Sequence, residues 1–201
     1  VVPSTGIDKR IEEGIYDRDP NVKDRGNMIR RIPVRSLDQV VDLYGPLLEL
    51  AEKNNVRLCL ENCPLMGNIA ISPVMWRRIF QRLDSDKLGL AYDPSHLVWE
   101  MIDPYAPLDE FKDKIFHVHA KDAAIDRARL AETGILTDFS WWSYRIPGRG
   151  ELDWKKLLSK LKANGYTGTI SLEHEDAAYE GTLPAVQQGL LDGKAHLEQC
   201  L

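Results

Sequence analysis

Apolar and polar positions alternate through residues 114–122, KIFHVHAKD: Ile115, His117, His119 and Lys121 fall in one set and Phe116, Val118 and Ala120 in the other. Residues two apart share a face of a strand, so this stretch predicts a strand with two histidines and a lysine on one side. The same reading makes strands of VRLCLEN (56–62), LGLAYD (88–93) and GTISLEHE (168–175). Between them the period becomes helical. SLDQVVDLYGPLLELAEKNN (36–55) is amphipathic, with a capping-box pair at Ser36 and Gln39 and a kink expected at Pro46. SPVMWRRIFQRL (72–83) sets Ser72 at the N-cap and Pro73 at the first helical position. DWKKLLSKLKANGY (153–166) starts on Asp153 as cap and stops at Gly165. The opening VVPSTG reads as the end of one further strand.

Strands alternating with helices imply a parallel sheet with helices packed outside it. The connection from 122 to 152, which contains DFSWWSYRIPGRGELDW, breaks that rhythm. A loop of that length in a compact fold is usually functional or a lid. A surface excursion packed by its own tryptophans is the alternative.

In each strand the bulky apolar set is expected to face the helices, while the opposite face ends in Glu61, Asp93, His119 or Glu173. All four lie at the C-terminal ends of their strands. In a parallel sheet those ends are neighbours, and in a (β/α)8 barrel they ring the catalytic mouth. Three carboxylates drawn into one small space repel and raise each other's pKa unless a cation sits among them. With one imidazole they form a hard ligand set that suits Mn²⁺, Mg²⁺ or Co²⁺ better than a sulfur-rich zinc site.

Composition narrows the classes. Of 201 residues, 43% are hydrophobic and 28% charged, typical of a soluble globular protein. The net charge of −5 disfavours a nucleic-acid groove and gives no attraction to anionic lipid. No apolar run approaches the roughly 20 residues of a membrane span, and the N-terminal VVPSTGIDKR has no signal-peptide pattern. The three cysteines, Cys59, Cys63 and Cys200, form no C-x-x-C pair, so a reducing cytoplasm is expected. Cys59 is expected to be a small buried hydrophobe on its strand.

The motifs LCLENCP, YDPSH, HVHAKD, PGRGELDW and SLEHED, in that order and spacing, resemble those of the xylose-isomerase-like TIM-barrel superfamily. Within it they are most similar to the sugar (phosphate) isomerase/epimerase group, which includes ketose 3-epimerases and inosose dehydratases. The resemblance covers nearly the whole chain and implies one partial barrel domain over residues 1–201. A complete barrel needs about 250 residues. The motifs match the later strands, so the chain is expected to hold roughly strands 4 to 8 and to associate with another copy or a partner, or to carry further N-terminal sequence. Carried over by motif, the metal ligands are Glu61, Asp93, His119 and Glu173, with Mn²⁺ the first candidate and Mg²⁺, Co²⁺ or Zn²⁺ the others. His96, three residues after Asp93, resembles the family's substrate-contacting histidine.

The implied activity is a metal-dependent isomerase or epimerase of a ketose or keto-sugar, free or phosphorylated, acting through an enediolate with Glu61 and Glu173 as its acid–base pair. A sugar or inosose dehydratase would use the same enediolate, and a barrel fragment that needs a partner is the non-catalytic alternative. An apurinic endonuclease, also of this superfamily, would need more histidines for its trinuclear zinc centre than the five at 96, 117, 119, 174 and 196. Other residues stay open between two roles. Lys121 and Arg149 either bind substrate or serve as a salt-bridge partner and a surface arginine, respectively. Trp141 and Trp142 either wall the pocket or pack under the loop, and His117 and His174 are expected to be supporting residues. The arginine that ketose 3-epimerases place about six residues after the ligand histidine is replaced by Ile125.

Overall fold

The computed structural model describes residues 34–65 and 68–201, so the strand expected at VVPSTG lies outside the described residues. Two compact units divide the chain at Leu88/Gly89. In the first, helix α1 (Val34–Lys53) leads into strand β1 (Leu58–Glu61), and helix α2 (Pro73–Arg82) follows. Leu37, Val40, Leu48 and Ala51 are buried on α1, the single stripe that a 3.6-residue period places on one side. The helix begins two residues before the expected Ser36 cap and runs through Pro46. Helix α2 has Ser72 as N-cap and Pro73 as its first residue, and it buries Met75, Trp76 and Ile79. The Trp76 indole N–H donates to the Ala70 carbonyl at 2.6 Å. β1 departs from expectation at Cys59, which is exposed rather than buried. Alternation assigns a residue to a face but not what covers that face.

The second unit carries strands β2 (Leu88–Tyr92, which starts one residue before the unit), β3 (Ile115–Ala120) and β6 (Thr169–Leu172), running parallel with β3 in the middle. Every residue of β2 is buried, as expected of a parallel strand covered on both faces. Short helices α3 (Pro94–Trp99) and α4 (Ala106–Glu110) join β2 to β3. Helix α6 (Trp154–Ala163) precedes β6, and α7 (Leu183–Cys200) closes the chain. Asp153 caps α6 by accepting from the Lys156 amide. Gly165 follows it with φ of 76°, the left-handed conformation that ends helices and favours glycine. Trp154, Leu157, Leu158 and Leu161 form the buried face of α6.

The stretch from 122 to 152 is more regular than expected. Strand β4 (Asp122–Ile125) pairs antiparallel with β5 (Trp142–Arg145), and helix α5 (Arg127–Thr137), interrupted at Gly134, lies between them. Ala123 and Trp141 are fully buried and pack with Trp99, against which Ile125, Trp142 and Tyr144 also lie.

Candidate metal centre

Strand register delivers the site. β2 pairs Tyr92 with Val118, which brings the next residue, Asp93, level with His119. β3 pairs Ala120 with Leu172, so Glu173 emerges beside Lys121. Its amide donates to the Ala120 carbonyl at 3.3 Å. His119 Nδ1 stands 2.9 Å from Glu173 Oε2 and 3.8 Å from Asp93 Oδ2. Asp93 is the N-cap of α3, and its Oδ1 accepts from the Ser95 amide at 2.9 Å and the Ser95 hydroxyl at 2.6 Å. Those two bonds hold Oδ1 and aim Oδ2 at the cluster.

Three carboxylates share one buried ammonium. The Lys121 ammonium, 2% exposed, is 3.1 Å from Asp93 Oδ2, 3.1 Å from Glu173 Oε1 and 2.8 Å from Glu175 Oε2. Burial alone would push Lys121 down, but Asp93, Glu175 and Glu173 hold it well above the ordinary lysine range. Burial likewise opposes the Asp93 carboxylate, yet His119, His96, Lys121 and Ser95 together keep its pKa below the usual value. Glu173 is lowered first by its bond with His119, then by Lys121, against opposing burial and Asp93.

Asp93, His119 and Glu173 each offer one ligand atom, and these lie within 4.8 Å of one another. Octahedral coordination at about 2.0–2.1 Å separates neighbouring ligands by about 3 Å and opposite ones by about 4 Å, so the spacing fits a divalent ion. Two carboxylate oxygens and one imidazole nitrogen are a donor set that suits Mn²⁺, Mg²⁺ or Co²⁺. Glu61, the fourth expected ligand, is the last residue of β1 in the first unit.

The remaining expected residues divide. His96, buried at the first turn of α3, brings Nε2 to 3.3 Å from Asp93 Oδ2. His117 lies one step deeper on β3, edge-on to His119 at 5.3 Å, and burial followed by His119 lowers its pKa. Arg149 donates to the Tyr179 hydroxyl at 2.8 Å and sits over that ring. His174 lies edge-on to Tyr179 at 6.2 Å. Trp142 stacks flat on Trp99 at 4.4 Å.

Three residues at the site carry no sign of their role in the sequence pattern. Glu175 pairs with Lys121. Tyr144 bonds His96 Nδ1 at 3.0 Å and lies 4.5 Å beneath the Lys121 ammonium. Asp122 organises the PGRGELDW segment, accepting from the amides of Ala123, Gly148 and Leu152 and from the Trp154 indole. The spacing of Asp122 to the Gly-rich turn was visible, but pairing across it needs the fold.

Residues 16–200 match the family model described as xylose isomerase-like TIM barrel. The chain belongs to this family. Uncharacterized protein YfiH of Bacillus subtilis is 34% identical over 149 residues, covering 69% of this chain and 47% of that protein. Inosose dehydratase of Salmonella typhimurium is 25% identical over 195 residues, covering 95% of this chain and 60% of the relative. This chain therefore spans about half to three-fifths of these relatives. Among solved structures, a D-tagatose 3-epimerase-like protein matches at a TM-score of 0.60 and 24% identity, over 82% of this chain and 55% of that one. The 3-keto-D-glucoside 4-epimerase YcjR from E. coli matches at 0.62 and 21%, over 91% and 59%. At these identities the two structures speak for the TIM-barrel fold alone. No helix among the described residues is long and apolar enough to cross a membrane.

Proposed function

We propose that this protein removes a proton beside the carbonyl of a ketose or keto-sugar, as a divalent-metal-dependent isomerase or epimerase working through an enediolate of the substrate. The observation that carries this reading is the convergence of Asp93 Oδ2, His119 Nδ1 and Glu173 at adjoining strand ends. Glu61 is the fourth ligand in this proposal, by its place at the end of β1 and in the motif LCLENCP. A divalent ion, Mn²⁺ first, supplies Lewis-acid charge that stabilises oxyanions of the substrate.

The protein's own groups handle the proton. Glu173, lowered by His119 and Lys121, is ionised at neutral pH and so can accept one. Glu61 is its proposed counterpart, returning a proton to the other face. Lys121 sits 3.1 Å from Glu173 and offsets the negative charge that develops as the substrate is deprotonated.

A second reading, loss of a β-hydroxyl from the same enediolate, is favoured by the inosose dehydratases that align over 95% of the chain.

The test is turnover of keto-sugars and keto-cyclitols in D₂O with added Mn²⁺. Solvent deuterium should enter the carbon next to the carbonyl, and Glu61→Gln and Glu173→Gln should each slow turnover by about 10²- to 10⁴-fold. Product free of deuterium would indicate hydride transfer and reject the proposal. Release of a dehydrated product would select the second reading.

A further inference from the structure

A second cluster of reactive side chains lies at the C-terminal end of α7. Cys200 and His196, one helical turn apart, bring Sγ to 3.7 Å from Nε2. Residues i and i+4 share a helix face, so this pairing is built into the helix. The imidazole is also held from behind. It packs against Gly148, where an added Cβ would press on Cγ, Nδ1 and Cδ2 of the ring. Gly148 itself is fixed, with φ of 86° and its amide donating to Asp122 Oδ2 at 3.3 Å. That edge of the ring is enclosed, and Nε2 is the nitrogen turned to the thiol.

Cys200 lines a cavity of about 600 Å³ between α6, the start of β6 and the end of α7. Leu158, Leu161, Tyr166 and Ile170 form its apolar wall, and Lys162 supplies positive charge. Leu158 and Leu161 are buried, whereas Lys162 is exposed. The Tyr166 hydroxyl donates to the Thr169 carbonyl at 2.7 Å, which fixes that side of the wall. The volume is that of a small-molecule site. It lies at the N-terminal end of β6, whereas Glu173 follows the C-terminal end, so the cavity and the metal centre are separate. An apolar wall with a cation beside it suits an organic body that carries a carboxylate. A thiol paired with an imidazole in the same wall is equipped to react with what the cavity holds.

We propose that Cys200 is a thiol-modification site that takes small disulfides bearing carboxylate groups. The thiol passes its proton to His196 Nε2, and Sγ attacks one sulfur of the disulfide. The S–S bond breaks, a new bond joins Cys200 to the attacked sulfur, and the departing thiolate takes the proton back from the imidazolium. Cys200 is oxidised and the released thiol reduced, with the disulfide itself as the oxidant. Lys162 draws the carboxylates to the cavity. Cys59, exposed on β1, is the internal comparison.

The experiment treats the full chain with oxidised glutathione and, separately, with cystamine, a cationic disulfide without carboxylates. Adducts at each cysteine are followed over time by peptide mass spectrometry. At pH 7 Cys200 should form the glutathione mixed disulfide faster than Cys59. His196→Gln should slow Cys200 about tenfold, since a free thiol begins at a few per cent thiolate and complete ionisation adds at most about 30-fold. Lys162→Glu should lower the glutathione-to-cystamine rate ratio at Cys200 about tenfold. Cys200 reacting no faster than Cys59 in the wild type would overturn the proposal with no variant needed. An unchanged rate in His196→Gln would remove the imidazole from the step and the site with it. An unchanged rate ratio in Lys162→Glu would reject the carboxylate-bearing class.

Discussion

Asp93 closes strand β2 and Asp122 opens strand β4, and neither side chain exposes any surface. Their surroundings differ in kind. Asp122 is enclosed by N–H donors, three backbone amides and the Trp154 indole, and no cation approaches it in an ion pair among the described residues. Asp93 commits one oxygen to Ser95 and leaves the other facing Lys121, His96 and His119. Burial is therefore no mark of function by itself. A carboxylate whose oxygens are all consumed by the local backbone holds a loop in place. A carboxylate held by one oxygen, with the other facing imidazoles and an ammonium, is the one that the proposed function makes a metal ligand.

The largest effect should separate the two at the metal. Asp93→Asn or His119→Ala removes a ligand and is expected to weaken Mn²⁺ or Co²⁺ by at least about 100-fold, beyond the range of mere orienting groups. Asp122→Asn should change that affinity by no more than a few-fold in protein that remains folded. Calorimetric titration of the three variants makes the comparison. Equal affinity in all three would remove the metal from Asp93.

Stability should reverse the order. In Asp122→Asn one carboxylate oxygen becomes an NH₂ group, which then faces N–H donors such as Gly148 and Trp154 or Leu152 and Ala123. Leaving buried donors unmet costs about 1–3 kcal/mol each, so a loss of about 2–4 kcal/mol is expected in denaturant unfolding. A smaller loss of about 1–3 kcal/mol should follow Gly150→Ala, since an added Cβ would press on the Asp122 carboxylate and come within 2.5 Å of the Ala123 carbonyl. The two changes act on one contact, so their costs should not add in the double variant. Simple additivity would show that Gly150 is required for some other reason.

How far the sequence carries such distinctions depends on whether the signal is local. The four strands, the Asp153 cap and the Gly165 stop are local patterns, and each is present within two residues of its expected place, except that β6 stops at Leu172, three residues before the expected end at 175. Likewise, alternation in KIFHVHAKD was enough to put His117, His119 and Lys121 on one side. What Lys121 touches was not legible, because Asp93, Glu173 and Glu175 come to it from two other segments. β4 was hidden because Lys121 separates it from β3 by a single residue, and its partner β5 lies beyond an intervening helix. Tyr144, on β5, is hidden for the same reason. Its partner on α3 is 48 residues away. The resemblance placed His96 near the site but gave no sign of the phenol behind it.

The smallest effect, and the sharpest on the contrast itself, is in the pH dependence. Burial raises the Asp122 carboxyl above the ordinary 3.8, and bonds from Leu152, Trp154, Ala123 and Gly148 offset this only in part. For Asp93 the same burial is outweighed by His119, His96, Lys121 and Ser95, and its carboxyl falls below 3.8. The linkage signs are opposite. With a raised folded pKa, the Asp122 contribution is fully present below 3.8 and is lost as pH rises through its folded value. With a depressed folded pKa, the Asp93 contribution is present above 3.8 and is lost as pH falls through its folded value. In metal-free protein, carboxyl ¹³C shifts should therefore show Asp122 titrating above 3.8 and Asp93 below it. Added Mn²⁺ should push the Asp93 transition lower still, because the ion competes with the proton for Oδ2, and leave that of Asp122 in place. Two carboxyls titrating together, or an Asp122 transition that moves with Mn²⁺, would collapse the distinction between the loop-holding aspartate and the metal-facing one.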